Sequence, residues 1–232
     1  MREERITAAM NELLKTNTDV ICLQEITPEM LKIIMHHPIV QSYRIYYTND
    51  AIKRYGQIFL VNRRLDSHTV LFEYINFPKT NMDRKICRLT IDKNLHVLNV
   101  HLESEFTKPE HVPVTKIAQI KYLQEYAKTL RGFVIIAGDC NISTEEDQMF
   151  TDIMSSAAFI DLNNGMLTFD SSSNTNVDGD YRSRLDRILC NFSVTCQINK
   201  PLGLTPFITI TRELCFPSDH FGLHVNIIPK KI

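Results

Sequence analysis

The chain has 232 residues, 44% of them hydrophobic, which suits one large domain with a full core better than two small ones. Its formal net charge of −1 excludes a protein that coats nucleic acid by bulk charge, so any DNA or RNA contact has to come from a local basic patch. Cys22, Cys87, Cys140, Cys190, Cys196 and Cys215 are dispersed, without the short spacing of a zinc site, and read as reduced thiols of an intracellular protein. Met1-Arg2-Glu3-Glu4 opens on a polar helix rather than a signal peptide, and no apolar stretch approaches bilayer-spanning length, so the expectation is a soluble chain with no membrane partner. The glycosylation tripeptides at Asn141 and Asn191 are taken as chance matches.

Residues 2–15 place Ile6, Met10, Leu13 and Leu14 on one helical face opposite Glu, Arg and Asn, which predicts a surface helix. Residues 19–25 read as a buried strand, and Thr27-Pro28-Glu29 then supplies a cap and a first-turn proline for a short helix. Five β-rich runs follow at residues 43–47, 57–61, 69–75, 86–91 and 95–100, with Asp92-Lys93-Asn94 as a hairpin turn. Residues 113–131 return to helical spacing through Ile117, Ile120, Leu123, Tyr126 and Ala127, and Gly132 stops that helix ahead of a strand from Phe133. A shorter helix is expected after Thr144-Glu145-Glu146, residues 171–180 carry the longest loop signal, and a strand of alternating character starts at Arg184. The last apolar run covers residues 221–228. This order predicts an α/β protein, a layered sandwich of two packed sheets flanked by helices.

Three apolar runs meet acids that nothing nearby in sequence neutralises. One ends on Glu25, one on Asp139, and the last begins after Asp219-His220. A carboxylate at the edge of a core is expensive without a partner, so three of them suggest one shared cation. The last run reaches the same rim only by running antiparallel to the other two, which predicts a mixed sheet. Magnesium needs one or two protein carboxylates besides water and substrate phosphate, and Glu25 is the first choice of ligand. Taken alone, Glu25 could instead cap the following helix, and Gly138-Asp139-Cys140-Asn141 could be an ordinary turn. Asp139 and Asn141 share one side of an extended segment, where one can orient water and the other hold a phosphate oxygen. His101 and His220 occupy rim positions from which a histidine fixed by a carboxylate can donate to a phosphate oxygen, and Asp186 is the candidate partner. Ser218-Asp219-His220 is not a hydrolase triad, because adjacent residues on a strand point to opposite faces.

Leu23-Gln24-Glu25, His101-Leu102-Glu103-Ser104, Gly138-Asp139-Cys140-Asn141, Arg184-Leu185-Asp186-Arg187-Ile188 and Pro217-Ser218-Asp219-His220-Phe221-Gly222-Leu223 resemble, in order and spacing, the endonuclease/exonuclease/phosphatase superfamily. His-Leu-Glu-Ser and Leu202-Gly203-Leu204 are most similar to its tyrosyl-DNA phosphodiesterase 2 branch, over nearly the whole chain. The resemblance implies one domain, a four-layer α/β/β/α sandwich of two packed mixed sheets flanked by helices. It also implies hydrolysis of the 5′-phosphotyrosyl bond between DNA and a topoisomerase tyrosine, with Mg2+ as cofactor and Mn2+ as a substitute. Carried over by motif, Glu25 and Asp219 would hold the metal, Asp139 would orient or activate water, and Asn141 would contact the phosphate. Asp219, His220 and His101 would complete the phosphate site, with Asp186 positioning His220. Tyr55, Arg84, Ser104 and Phe169 would contact substrate. The implied partners are DNA with a 5′-tyrosyl adduct and a topoisomerase-derived peptide, bound by a monomer in the nucleus, with the cytoplasm as a second location.

The chain also departs from the family's pattern. A first family strand bearing Thr-Trp-Asn, whose Asn belongs to the active site, would stand ahead of the helix at Arg2, and this sequence begins after that position. The expectation is an unfilled sheet position and weakened catalysis, unless residues ahead of Met1 supply the strand. Ser143 replaces a usual Arg and loses a phosphate contact, while Phe169 replaces a Trp and can still stack on a base. Two other readings stay open: the same fold acting on abasic DNA, RNA ends or phosphoinositides, or a catalytically impaired module that binds DNA or a partner.

Overall fold

A computed structural model describes residues 2–104, 113–163, 165–198 and 201–230. His111, read from sequence as a histidine away from the site, lies outside them. Helix α1 (Arg2–Thr16) buries Ile6 and Met10 and carries Glu3 and Glu4 in its first turn and Lys15 in its last, charges that suit the helix dipole. Strand β1 (Val20–Ile26) runs into α2 (Pro28–His36), where Thr27 Oγ1 accepts from Met30 N at 3.2 Å and Pro28 takes the first helical position. A four-residue helix, α3 (Ile39–Ser42), carries no clear signal in the sequence and turns the chain into β2 (Tyr43–Tyr46). The remaining β-rich runs form β3 (Gly56–Asn62), β4 (Val70–Asn76), β5 (Lys85–Ile91) and β6 (Leu95–His101). Asp92 and Lys93, with φ of 49° and 62°, give the β5–β6 hairpin its left-handed turn.

Helix α4 (Val114–Thr129) crosses over to β7 (Phe133–Asp139), followed by α5 (Asp147–Ser155) and β8 (Ile160–Asp161). The two-residue strands β9 (Phe169–Asp170) and β10 (Arg182–Ser183) pair with each other ahead of β11 (Asp186–Cys190). Strand β12 (Val194–Ile198) precedes a short hairpin of β13 (Phe207–Ile208) and β14 (Leu214–Cys215), and β15 (Val225–Pro229) comes last.

Strands β1, β3 and β2 form one antiparallel sheet in that order, and β4-β5-β6-β7-β11-β8 forms a second, mixed sheet. Phe59 and Val61 of the first meet Cys87, Leu89, Ile91 and Val97 of the second, which makes the core between the sheets. On the outer face of the first sheet α1, α2 and α3 pack over Ile21, Ile58 and Leu60. On the outer face of the second, Ile120 and Leu123 of α4 and Phe150 and Met154 of α5 cover Leu98, Val100 and Ile136. The layers are therefore α/β/β/α.

The last apolar run behaves differently from the expectation. Its strand begins at Val225 and pairs with β12 in a separate two-stranded sheet, so it does not bring Asp219 and His220 to the rim as strand residues. The segment just ahead of it is fixed by loop contacts: Phe221 N donates to Thr168 O at 2.7 Å, and Gly222 bridges to Leu202. The mixed character of the large sheet comes instead from the parallel β6–β7 pair, which requires the α4 crossover. Cys22, Cys87, Cys140, Cys190 and Cys215 are free thiols, and burial pushes Cys22 up to about 12. Among the described residues no helix is long and apolar enough to cross a membrane.

Candidate active site

His101, Asp139 and Asp186 stand at the ends of three adjacent strands, and register sets them on one rung. His101 lies opposite Asp139 across the parallel β6–β7 pair, and Asp186 lies opposite Asp139 across the antiparallel β7–β11 pair. Residues directly opposite one another share a face, so the sheet itself brings the three side chains together. Gly138 permits this approach: at φ 135° its backbone suits glycine, and an added Cβ would sit 2.1 Å from Val100 O.

His220 joins the row from its loop, with Nδ1 donating to Asp186 Oδ2 at 2.7 Å. Burial disfavours the charged imidazole, but the Asp186 carboxylate outweighs it, and with Asp139 and Asp219 it pushes His220 up to about 10. At neutral pH this ring is an imidazolium. Burial alone would raise Asp139, yet the hydrogen bond from His101, the charge of His220 and the Asn141 N–H hold its carboxyl below the ordinary range. Asp139 is therefore ionised, with Oδ1 accepting from Asn141 N at 2.8 Å and Oδ2 3.3 Å from His101 Nε2.

Arg84 fixes the tautomer of His101. A guanidinium can only donate, and Arg84 Nη1 lies 2.6 Å from His101 Nδ1, so that nitrogen accepts and the ring proton sits on Nε2, facing Asp139. The guanidinium also lies 5.4 Å from the centroid of the Tyr55 ring, which in turn stands 6.5 Å from the His101 ring. Tyr55 and Arg84 thus stand beside His101, with Arg84 4% exposed.

Glu25 does not cap α2, since Thr27 does. It has φ 57° and sits where the β1–β3 register shifts between Leu23 and Ile26, a bulge that re-aims its side chain toward His101 Nε2 at 3.8 Å. Its carboxylate is 69% exposed, a hard oxygen donor free to take a magnesium ion. Asp219, 51% exposed, meets Arg5 Nη2 at 3.5 Å. Among the described residues no group of three or more His, Cys, Asp or Glu is placed to hold a metal ion. Asn141 is 3% exposed, with φ 51°, and its Nδ2 donates to Leu102 O at 3.0 Å. It ties the β6 and β7 ends together.

The sequence pattern of the Endonuclease/Exonuclease/phosphatase family matches residues 2–220. The chain belongs to that family. A search of curated proteins gives no match. Among solved structures, a truncated TDP2 from Caenorhabditis elegans is similar at 24% identity, covering 97% of this chain and 90% of that one with a TM-score of 0.76. TDP2 from Danio rerio complexed with a single-strand DNA product is similar at 22% identity, with 97% and 93% covered and a TM-score of 0.76. A mannosyl-6-phosphatase from Bacteroides thetaiotaomicron is similar at 17% identity, with 98% and 91% covered and a TM-score of 0.67. At these identities the likeness is one of fold.

Within this endonuclease/exonuclease/phosphatase fold, several supporting residues escaped the sequence reading. Glu103, 1% exposed, uses one oxygen to accept from Thr80 Oγ1, Asn81 N and Met82 N at 2.6, 2.8 and 3.0 Å, anchoring the loop that presents Arg84. Buried Asn99 receives Gln24 Nε2 at 2.7 Å and donates to Leu23 O and Ile58 O, holding the β1 end that carries Glu25. The 171–180 loop is not slack: Asn174 and Asn176 donate to Ser218 O and Phe216 O at 2.9 and 2.8 Å, clamping the turn ahead of His220. Phe169 lies edge-on to His220, 5.1 Å between centroids, whereas Ser104 Oγ meets Met82 Sδ at 3.5 Å and Ser143 offers its N–H to Glu146.

Proposed function

We propose that this chain is a magnesium-dependent phosphodiesterase that hydrolyses the bond between a 5′ DNA phosphate and the tyrosine of a topoisomerase-derived peptide. The observation that carries the reading is the single rung of His101, Asp139 and Asp186, joined by His220 as an imidazolium and by Glu25 beside His101. Magnesium on Glu25, with Asp219 as the second carboxylate, would supply Lewis-acid charge at the phosphoryl oxygens. Around it, His220, whose Nδ1 is held by Asp186, would donate from Nε2 to an oxygen where charge develops, while His101 keeps its Nε2–H on Asp139. Asp139, held ionised, orients the attacking water, and its lowered pKa makes it a better orienter than proton acceptor. A tyrosine phenol has a pKa of about 10, so it leaves as phenolate with little need of a general acid. Phe169, edge-on to His220, offers an apolar ring for a base next to the phosphate. With this substrate the reaction is a step of DNA repair, in the nucleus and secondarily the cytoplasm.

A phosphatase reading competes, favoured by the likeness to the mannosyl-6-phosphatase. A panel of 5′-tyrosyl oligonucleotide, mannose 6-phosphate and an inositol phosphate, each with magnesium, separates them. Fastest turnover on the tyrosyl DNA is expected, and a sugar phosphate turned over faster would replace this reading with the phosphatase one.

A further inference from the structure

Helix α4 buries polar residues that the chemistry above leaves unused. Lys116 and Gln119 are each 1% exposed although both stand in the first turns of a surface-layer helix. Burying an ammonium and an amide is costly unless each is fully engaged, so their partners are informative. Lys116 Nζ donates to Asn141 O at 2.7 Å and to Glu146 Oε1 and Oε2 at 2.9 and 2.8 Å. Glu146 Oε2 also accepts from Ser143 N at 2.8 Å, so the turn after Asp139 closes on an ion pair whose Lys116 end is buried. One helical turn along the same face, Gln119 Oε1 accepts from Glu103 N at 2.8 Å, and its Nε2 donates to Lys79 O at 3.1 Å.

We propose that Lys116 and Gln119 are positioning residues: α4 acts as a bracket that holds the loop after His101 and the turn after Asp139 at the separation the site needs. Lys116 grips the Asp139–Asn141 side, and Gln119 grips the His101–Glu103 side. Both side chains stand on one rigid helix, so movement of either loop relative to the other has to break a hydrogen bond to it. Lys116 reaches the site through Asn141 O and Gln119 through Glu103 N, both backbone groups. The left-handed backbone of Asn141, φ 51°, is a conformation that such a bracket retains.

The inference rests on the phosphodiesterase reading for its kinetic arm and on the geometry alone for its exchange arm. The variants are Lys116→Met, Lys116→Arg and the double variant Lys116→Met with Glu146→Gln, which removes both charges of the Lys116–Glu146 pair. Amide hydrogen exchange is followed at Ser143 and Glu103 in metal-free protein, and kcat and KM are measured on a 5′-tyrosyl oligonucleotide with magnesium. In Lys116→Met, or in the double variant if the single one does not fold, Ser143 exchange should quicken while Glu103 exchange stays near wild type. The kcat should fall about 10- to 100-fold with KM within about two-fold, the range expected of support behind a reacting group. Lys116→Arg should restore most of kcat. Folded variants with wild-type exchange at Ser143, or with wild-type kcat, overturn the bracket. If wild type does not cleave the oligonucleotide, the functional reading is lost and the exchange result alone decides the bracket.

Discussion

Replacing Glu103 with Gln isolates a charge that never touches substrate. The side chain keeps its shape and one carbonyl oxygen, but that oxygen must serve Thr80 Oγ1, Asn81 N and Met82 N without a negative charge. Hydrogen bonds to a charged group contribute about 1.5–3 kcal/mol each and neutral ones about 0.5–1.5, so roughly 1 kcal/mol is lost per bond. Because the bonds share one acceptor and do not add fully, the expected loss is about 2–3 kcal/mol, or roughly 4–12 °C of Tm for a domain of this size. Burial works against the Glu103 carboxylate, but the bonds from Thr80, Met82 and Asn81, with Arg84 nearby, outweigh it and hold its pKa below the ordinary 4.5. The sign follows: a depressed carboxylate contributes stability that is fully present above its unfolded pKa and is lost as pH falls through its folded pKa. Urea unfolding of wild type and Glu103→Gln at pH near 7 and then at falling pH should therefore show the full penalty at neutral pH, shrinking below 4.5 and gone once Glu103 protonates in the folded state. A penalty that stays equal as pH falls, or none at neutral pH, would refute the assigned role of that charge.

Asp186→Asn should remove the main support of the His220 imidazolium. Its pair with His220 stabilises the fold fully below about pH 6.5 and loses that contribution as pH rises through about 10; without it burial favours the neutral ring, so at pH 8 the variant should lose about 100-fold in kcat and regain activity as pH falls. A pH–rate profile parallel to that of wild type would contradict this. Gly138→Ala should destabilise by about 3 kcal/mol or more, since φ 135° and a Cβ 2.1 Å from Val100 O force the β6 and β7 ends apart; a melting curve within about 0.5 kcal/mol of wild type would contradict the register argument.

The layers of the fold were legible because each rests on local periodicity. The helical face of Ile6 and Met10, the Thr27-Pro28 start of α2 and the Asp92-Lys93 turn are all patterns within a few residues, and they reappear with shifts of a residue or two. The strand-end acids could be read because an apolar run that stops on a carboxylate is locally anomalous, and Glu25 and Asp139 do face His101. What could not be read depends on pairing between distant segments. The pairing of β15 with β12 rather than with a site strand is of this kind, as is the inward turn of Arg84 onto His101. Glu103 stood inside a quoted motif, yet nothing in His-Leu-Glu-Ser says that its acceptor work lies in a loop some twenty residues earlier. Lys116 and Gln119 were hidden because a polar residue on a helix ordinarily marks the solvent face, and here their partners come from β-strand ends across the layer. Asn174 and Asn176 likewise gave a loop signal that was correct for conformation and silent about the turn they clamp.

The central claim is that the rung of His101, Asp139 and Asp186, with His220 and Glu25, works on a phosphodiester through a bound divalent cation. Magnesium titration of tyrosine release from a 5′-tyrosyl oligonucleotide, run on wild type and Glu25→Gln side by side, tests it most directly. The account predicts saturable dependence on magnesium in wild type, none of that activity in EDTA, and its loss in a Glu25→Gln protein that melts as wild type does. Release that continues in EDTA, or at the wild-type rate in Glu25→Gln, would contradict it.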